Sequence, residues 1–342
     1  MVHTDEAAQS SPANRQTARD ADSWLALTTY RNLRIGMIGL ITMLAVAVAW
    51  QWAEADHCFE TSISAYYYTG AHSVFVAALC AMGALLVIYK GSSDTEDVLL
   101  NFSGFFAFLV AFVPTDWPAA IKDANDRHIP VVKCAAGVEL PSDYAVLEPI
   151  PANVWAVFIA GIVVAVVGVI RIYFGKEKRP AAVGEHHILG VVARVLGGFV
   201  TVAIVVFFAF WPETYEDIGH GLAAIPMFVA IIFVVFANAY LASFAPGRAG
   251  AGRFYKWSYI VLGVLMLIAL AIVIYLHCVL LWTHWVIGIE TVLIGLFAVF
   301  WGVQTRELWN TGLRRLESSP TLPKGADMLG MHVDRTVNGH SS

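Results

Sequence analysis

Charge is what this sequence has least of: 14% of its 342 residues are charged and 58% are hydrophobic, where an ordinary soluble domain carries about 25% charged residues. That scarcity excludes a conventional water-soluble domain. Gly-rich phosphate loops, HExxH and GxSxG are missing, and with them the most direct signatures of nucleotide, zinc-protease and serine-hydrolase chemistry. No basic patch is present, so no nucleic-acid partner is expected. No tandem repeat is found, and no apolar segment follows a basic start near Met1, so no cleavable signal peptide is expected and the first apolar run serves as the insertion signal.

What is there in quantity is apolar sequence in long runs. About 20 apolar residues are needed to cross about 30 Å of hydrocarbon, and eight stretches approach this: 34–53, 73–89, 98–113, 154–173, 188–210, 220–244, 258–277 and 284–303. The expected fold is therefore all-α, a polytopic helical bundle with eight transmembrane helices embedded in the lipid bilayer. The polar segments 1–33 and 318–342 are expected to be disordered, with an eight-helix domain over 34–303 that includes a long outer loop, 114–153. Residues 304–317 read as a basic, apolar-striped helix lying on the inner leaflet.

Positive charge sets the orientation. With the N-terminus in the cytoplasm, the inner segments hold seventeen of the 21 Lys and Arg residues, and the outer ones hold three: Lys122, Arg127 and Lys133. Both termini are thus cytoplasmic, in a cell membrane that reads as a bacterial inner membrane. Arg194 falls inside a run and is expected to snorkel to the inner interface. Twelve outer carboxylates leave the outer face acidic, which favours cations.

The polar groups concentrate at that outer face. Glu54 to Ser73 is a polar and aromatic island between two apolar runs, without Lys or Arg. It carries Ser62, Ser64, Tyr66, Tyr67, Tyr68 and His72, which would line an outer mouth, with the three tyrosines read as interfacial rings whose hydroxyls reach water. Cys58 lies here and Cys134 in the long loop, so an oxidising exterior makes a Cys58–Cys134 disulfide the expected tether, with Cys278 as the competing partner. Pro118, Pro130, Pro141, Pro149 and Pro151 in the long loop, and its length, suit a cover folded over the mouth.

Further on, Pro212 is a good first residue for a helix that places Glu213, Asp217 and His220 at i, i+4 and i+7, on one face. Two carboxylates and an imidazole on one stripe suit a divalent cation or a proton relay; acids at a helix start also simply favour its positive end. His277 closes the seventh run and His284 opens the eighth, six residues before Glu290. Glu290 is the carboxylate placed within a run, where a lipid-facing charge costs about 2.5–3.5 kcal/mol, so it should face the bundle. Pro226 and Pro114 mark breaks in the helical pattern.

Ser62-Ile-Ser64-Ala-Tyr66-Tyr67-Tyr68-Thr69, then Tyr89-Lys90-Gly91, then a third run ending Phe-x-Pro-Thr, resembles a family of bacterial multi-pass membrane proteins. The resemblance covers about the first third of the chain and implies a helical bundle without an established activity. A more distant likeness is to the membrane-embedded hydrolases of the alkaline ceramidase and adiponectin-receptor superfamily. It implies zinc held by three histidines, here His220, His277 and His284, beside Ser62 or Ser64 and Asp116, although the H-x-x-x-H pair of one helix is missing. On that pattern Asp217 or Asp116 would orient a ligand or act as base, and zinc would activate water for attack on a lipid or small amide or ester. A proton-coupled carrier titrating at Glu290, and a non-catalytic membrane scaffold, are the other readings of the same residues.

Overall fold

The apolar runs fold as eight α-helices among the residues described by the structure, a computed structural model that covers 12–113, 115, 150–174, 187–244, 249–278 and 286–314. These are α1 (Pro12–Glu54), α2 (His72–Ile88), α3 (Asp94–Phe112), α4 (Ile150–Phe174), α5 (His187–Phe210), α6 (Pro212–Ala242), α7 (Ala249–Cys278) and α8 (Val286–Glu307), with a 3-10 turn over Ser64–Tyr68. No strand occurs among the described residues. All except α2 are long and apolar enough to span a bilayer, seven in number; α2 has 17 residues, about 25 Å at 1.5 Å per residue. The protein is a multi-pass helical membrane bundle.

Helix starts follow local chemistry. Ser93 caps α3 by accepting the Glu96 N–H at 3.2 Å, and Asp94, Glu96 and Asp97 fill its first turn, where acids favour the positive end of the helix. Pro212 occupies the first turn of α6, as anticipated, and Pro226 sits within that helix.

Packing closes a ring. Helix α1 packs on α2, α2 on α3, α3 on α6, α6 on α7, α7 on α8, and α8 returns to α1. Helices α4 and α5 lie outside the ring with their main contacts on α3. There Phe105 meets the notch left by Gly161 and Phe102 the one left by Gly197. The outward faces of α4 and α5, with Ile162, Val163, Leu196 and Phe199 exposed, suit lipid, while Met37, Phe106, Tyr259, Met266, Phe300 and Trp301 are fully buried. Helices α2 and α3 approach closely at Gly83 and Gly104: a Cβ on Gly104 would lie 2.5 Å from the Gly83 carbonyl oxygen. Small residues permit such an approach where backbones meet in a membrane.

Two local expectations change. The segment expected to be disordered through residue 33 is helical from Pro12 onward, because its Ala, Arg, Gln and Leu residues favour helix and no Gly or further Pro interrupts them. Of the inner-leaflet helix expected over 304–317, residues 304–307 belong to α8, which ends at Glu307, and 308–314 are not helical; the chain turns back under the ring through Gly312, whose φ of +70° suits glycine. Arg194, expected to snorkel, pairs with the partly exposed Asp94 at the start of α3, at 3.2 Å. The long loop, apart from Thr115 and the start of α4, lies outside the described residues, as do the tail beyond Arg314 and Pro114.

Candidate functional site

At the end of α1 the chain reverses through Asp56 and His57, both with positive φ, 50° and 64°, a conformation uncommon outside glycine. Phe59 stacks on Trp52 at 5.4 Å, and the His57 ring meets the same indole edge-on at 4.4 Å. The reversal sends residues 60–71 into the mouth of the ring. Ser62, Ser64, Tyr66, Tyr67 and Tyr68 are all buried there, Tyr66 at 1% exposure, so the tyrosines are packing groups and not an interfacial belt. A run of three aromatics satisfies either environment, and only the chain reversal decides between them. Burial pushes the Tyr66 and Tyr67 phenols up from their ordinary value, which keeps them neutral.

Two polar stitches fasten this turn. The Ile63 N–H donates to Glu290 Oε2 at 2.7 Å, and the Ile287 N–H donates to the Thr61 carbonyl at 3.1 Å. The first turn of α8 thereby finds an acceptor for one of its orphan N–H groups, and Glu290 faces the mouth of the ring as its cost in lipid requires. Tyr68 donates to the Thr115 carbonyl at 2.9 Å, and His72 Nδ1 lies 2.6 Å from the Tyr67 carbonyl.

Beside these, Ser64 Oγ lies 2.7 Å from His220 Nε2, and His220 Nδ1 lies 2.6 Å from the Val113 carbonyl oxygen. A carbonyl only accepts, so Nδ1 carries the hydrogen. In the neutral ring Nε2 is then the acceptor, and the Ser64 hydroxyl donates to it. Hydroxyl, imidazole and an orienting acceptor in a row match the arrangement by which a serine is activated as a nucleophile. Three segments far apart in the chain supply it: the 3-10 turn, α6 and the end of α3.

Of the expected residues, Ser64 and His220 meet each other, and Glu290 meets the backbone next to Ser64. Ser62 turns to its own segment, accepting the Ala65 N–H at 3.1 Å. Glu213 is exposed and outside the cluster. Asp116, Cys134 and His284 lie outside the described residues, and so do the side chains of Asp217, His277 and Cys278. No group of three metal-binding side chains occurs among the described residues. Both His220 nitrogens are engaged in hydrogen bonds, so this histidine as placed offers no open lone pair to zinc.

The opposite end of the ring holds a second polar cluster that the sequence did not announce. Arg34, Glu96, Asn238 and Gln304 are buried at 0–1% exposure. Glu96 Oε1 accepts from Asn238 Nδ2 at 2.9 Å and Gln304 Nε2 at 3.2 Å, while its Oε2 accepts the Ser92 N–H at 2.7 Å. Arg34 Nη2 donates to the Tyr89 hydroxyl at 2.8 Å and to the Gly312 carbonyl. Arg314 reaches in beneath, forming a two-pronged pair with Glu307 whose Nε–Oε1 arm is 3.1 Å. It also donates to Asn238 Oδ1 at 2.7 Å. The signal available in sequence was Asn238 and Gln304 within apolar helices, since isolated amides there call for partners.

No protein-family pattern, curated protein or solved structure matches this chain.

Proposed function

We propose that the protein is a membrane-embedded hydrolase of serine type, acting on an acyl ester or amide bond of a lipid or small molecule at the membrane surface. The observation that carries it is the Ser64–His220–Val113 line, with its 2.7 and 2.6 Å contacts. Ser64 Oγ attacks the acyl carbon as its proton passes to His220 Nε2. The Nδ1–H bond to Val113 holds the ring in the accepting tautomer and steadies the cation formed. Collapse breaks the bond to the alcohol or amine, which leaves with the proton from Nε2. Water then adds to the acyl-Ser64, giving up a proton to His220, and release of the acid returns that proton to Ser64 Oγ. Glu290 acts by position, anchoring the peptide N–H immediately before the nucleophile.

The same proposal includes eight spans with α2 as the eighth, cytoplasmic termini and this mouth facing outward. The distribution of Lys and Arg supports that orientation. It also includes a Cys58–Cys134 tether, argued from the oxidising exterior that the orientation gives both residues, with Cys134 outside the described residues. A fluorophosphonate probe on purified protein tests the chemistry: an adduct mapped to Ser64, abolished in Ser64→Ala and slowed in His220→Gln, is expected. Absence of the adduct from folded wild-type protein would overturn it. A carrier reading rests on Glu290 alone, at the ring mouth; transport that survives Glu290→Gln counts against it.

A further inference from the structure

From Leu308 to Arg314 the chain stays against the bundle. Leu308 is buried, and Trp309 lies under Arg31, whose guanidinium carbon is 4.5 Å from the indole centroid. Arg31 Nε also donates to the Trp309 carbonyl at 2.7 Å. The turn at Gly312 is held by Arg34, and the chain then sends Arg314 back into the end of the ring. The Arg314 side chain is 9% exposed and that of Glu307 7%.

The pocket that receives it is made from four helices and fits a planar cation. Glu307 offers both carboxylate oxygens along one edge of the guanidinium, Asn238 Oδ1 accepts at another, and the Tyr259 ring lies 5.7 Å from the guanidinium carbon. The Tyr259 hydroxyl donates to Glu307 Oε2 at 2.6 Å, fixing the carboxylate. Glu96 is tied to the same Asn238. A bidentate carboxylate, an amide oxygen and an aromatic face are what recognition of a guanidinium requires. In place of a helix continuing into water, a short turned segment delivers the group.

Charge favours the occupancy. Arg314 and Glu307 pair where little water reaches them, beside the buried Arg34 and Glu96, and removing one partner of a largely buried pair leaves an uncompensated charge. Withdrawal of Arg314 is therefore favoured when another cation takes its place.

We propose that this end of the ring is a binding site for a guanidinium-bearing ligand, and that Leu308–Arg314 is a latch whose Arg314 is the built-in occupant. Ligand entry and latch release are one exchange. The site is distinct from the Ser64–His220 line at the other end and does not depend on the reading given to it.

Methylguanidinium serves as the probe, with full-length protein in detergent. Arg314→Ala is expected to unfold at lower temperature than wild type and to be rescued by millimolar methylguanidinium, with a saturable rise of about 2–4 °C. Tetramethylammonium at equal concentration should give none, and Glu307→Gln added to Arg314→Ala should abolish the rise. Equal shifts with both cations, or a shift that persists without Glu307, would overturn the site. A second measurement keeps Arg314 and does not need that variant to fold: in Leu313→Cys, methylguanidinium should speed maleimide labelling at residue 313 and saturate. An unchanged rate would overturn the latch.

Discussion

The crossing of α2 and α3 allows a prediction whose size follows from distances. A Cβ on Gly104 would sit 2.5 Å from the Gly83 carbonyl oxygen and 2.8 Å from Val87 Cγ2. The first of these is backbone, which cannot rotate away. Gly104→Ala must therefore push the helices apart by about 1 Å to reach ordinary contact, and a gap of 0.5–1 Å forfeits a quarter to a half of the dispersion at the facing atoms. Overpacking of this kind typically costs about 1–3 kcal/mol. Gly198 in α5 is the internal control, because nothing lies within 4 Å of its would-be Cβ. Gly198→Ala gains helix propensity, up to about 1 kcal/mol. Thermal unfolding of both variants in one detergent should thus move in opposite directions, separated by about 1–4 kcal/mol. Matching stabilities would refute the backbone-contact argument.

The two polar ends yield further expectations. Glu96→Ala strips the acceptor from Asn238, Gln304 and the Ser92 N–H and should cost about 3–5 kcal/mol. Arg194→Ala, breaking a pair whose members are 47% and 41% exposed, should stay within about 0.5 kcal/mol; the two variants compared by chemical unfolding check this. Burial raises the Tyr66 and Tyr67 phenols, so their contribution to stability is fully present below a pH of about 10 and is lost as pH rises through the higher folded values. Unfolding temperature followed from pH 8 upward should fall at the alkaline end, less steeply in Tyr67→Phe, and identical profiles would count against the buried turn.

Helix positions were legible because the bilayer sets them: the run read as 188–210 is α5, His187–Phe210, and that read as 284–303 is α8, Val286–Glu307. The gathering of Ser64 and Glu290 at one face was also within reach, since polar residues cluster in sequence around the loops of that face. The partner relation of Ser64 and His220 was not, because it depends on how the turn at Asp56 and His57 aims the next residues. Arg34 is the sharpest case. At a span boundary an arginine ordinarily snorkels to water, and nothing in its neighbours says that the Gly312 carbonyl will come back to meet it.

The seam between α1 and α8 has a consequence for synthesis. Because the first and last helices of the ring are neighbours, the ring cannot close until α8 has been made. Until then Arg34, Glu96 and Asn238 wait at one end without Gln304 and Arg314. A chain stopped after α7 would keep the Arg34–Tyr89 and Glu96–Asn238 bonds but leave Arg34 without the Gly312 carbonyl and Asn238 Oδ1 without Arg314. Completion of the polar cluster is thus also a record that the whole ring has been synthesised.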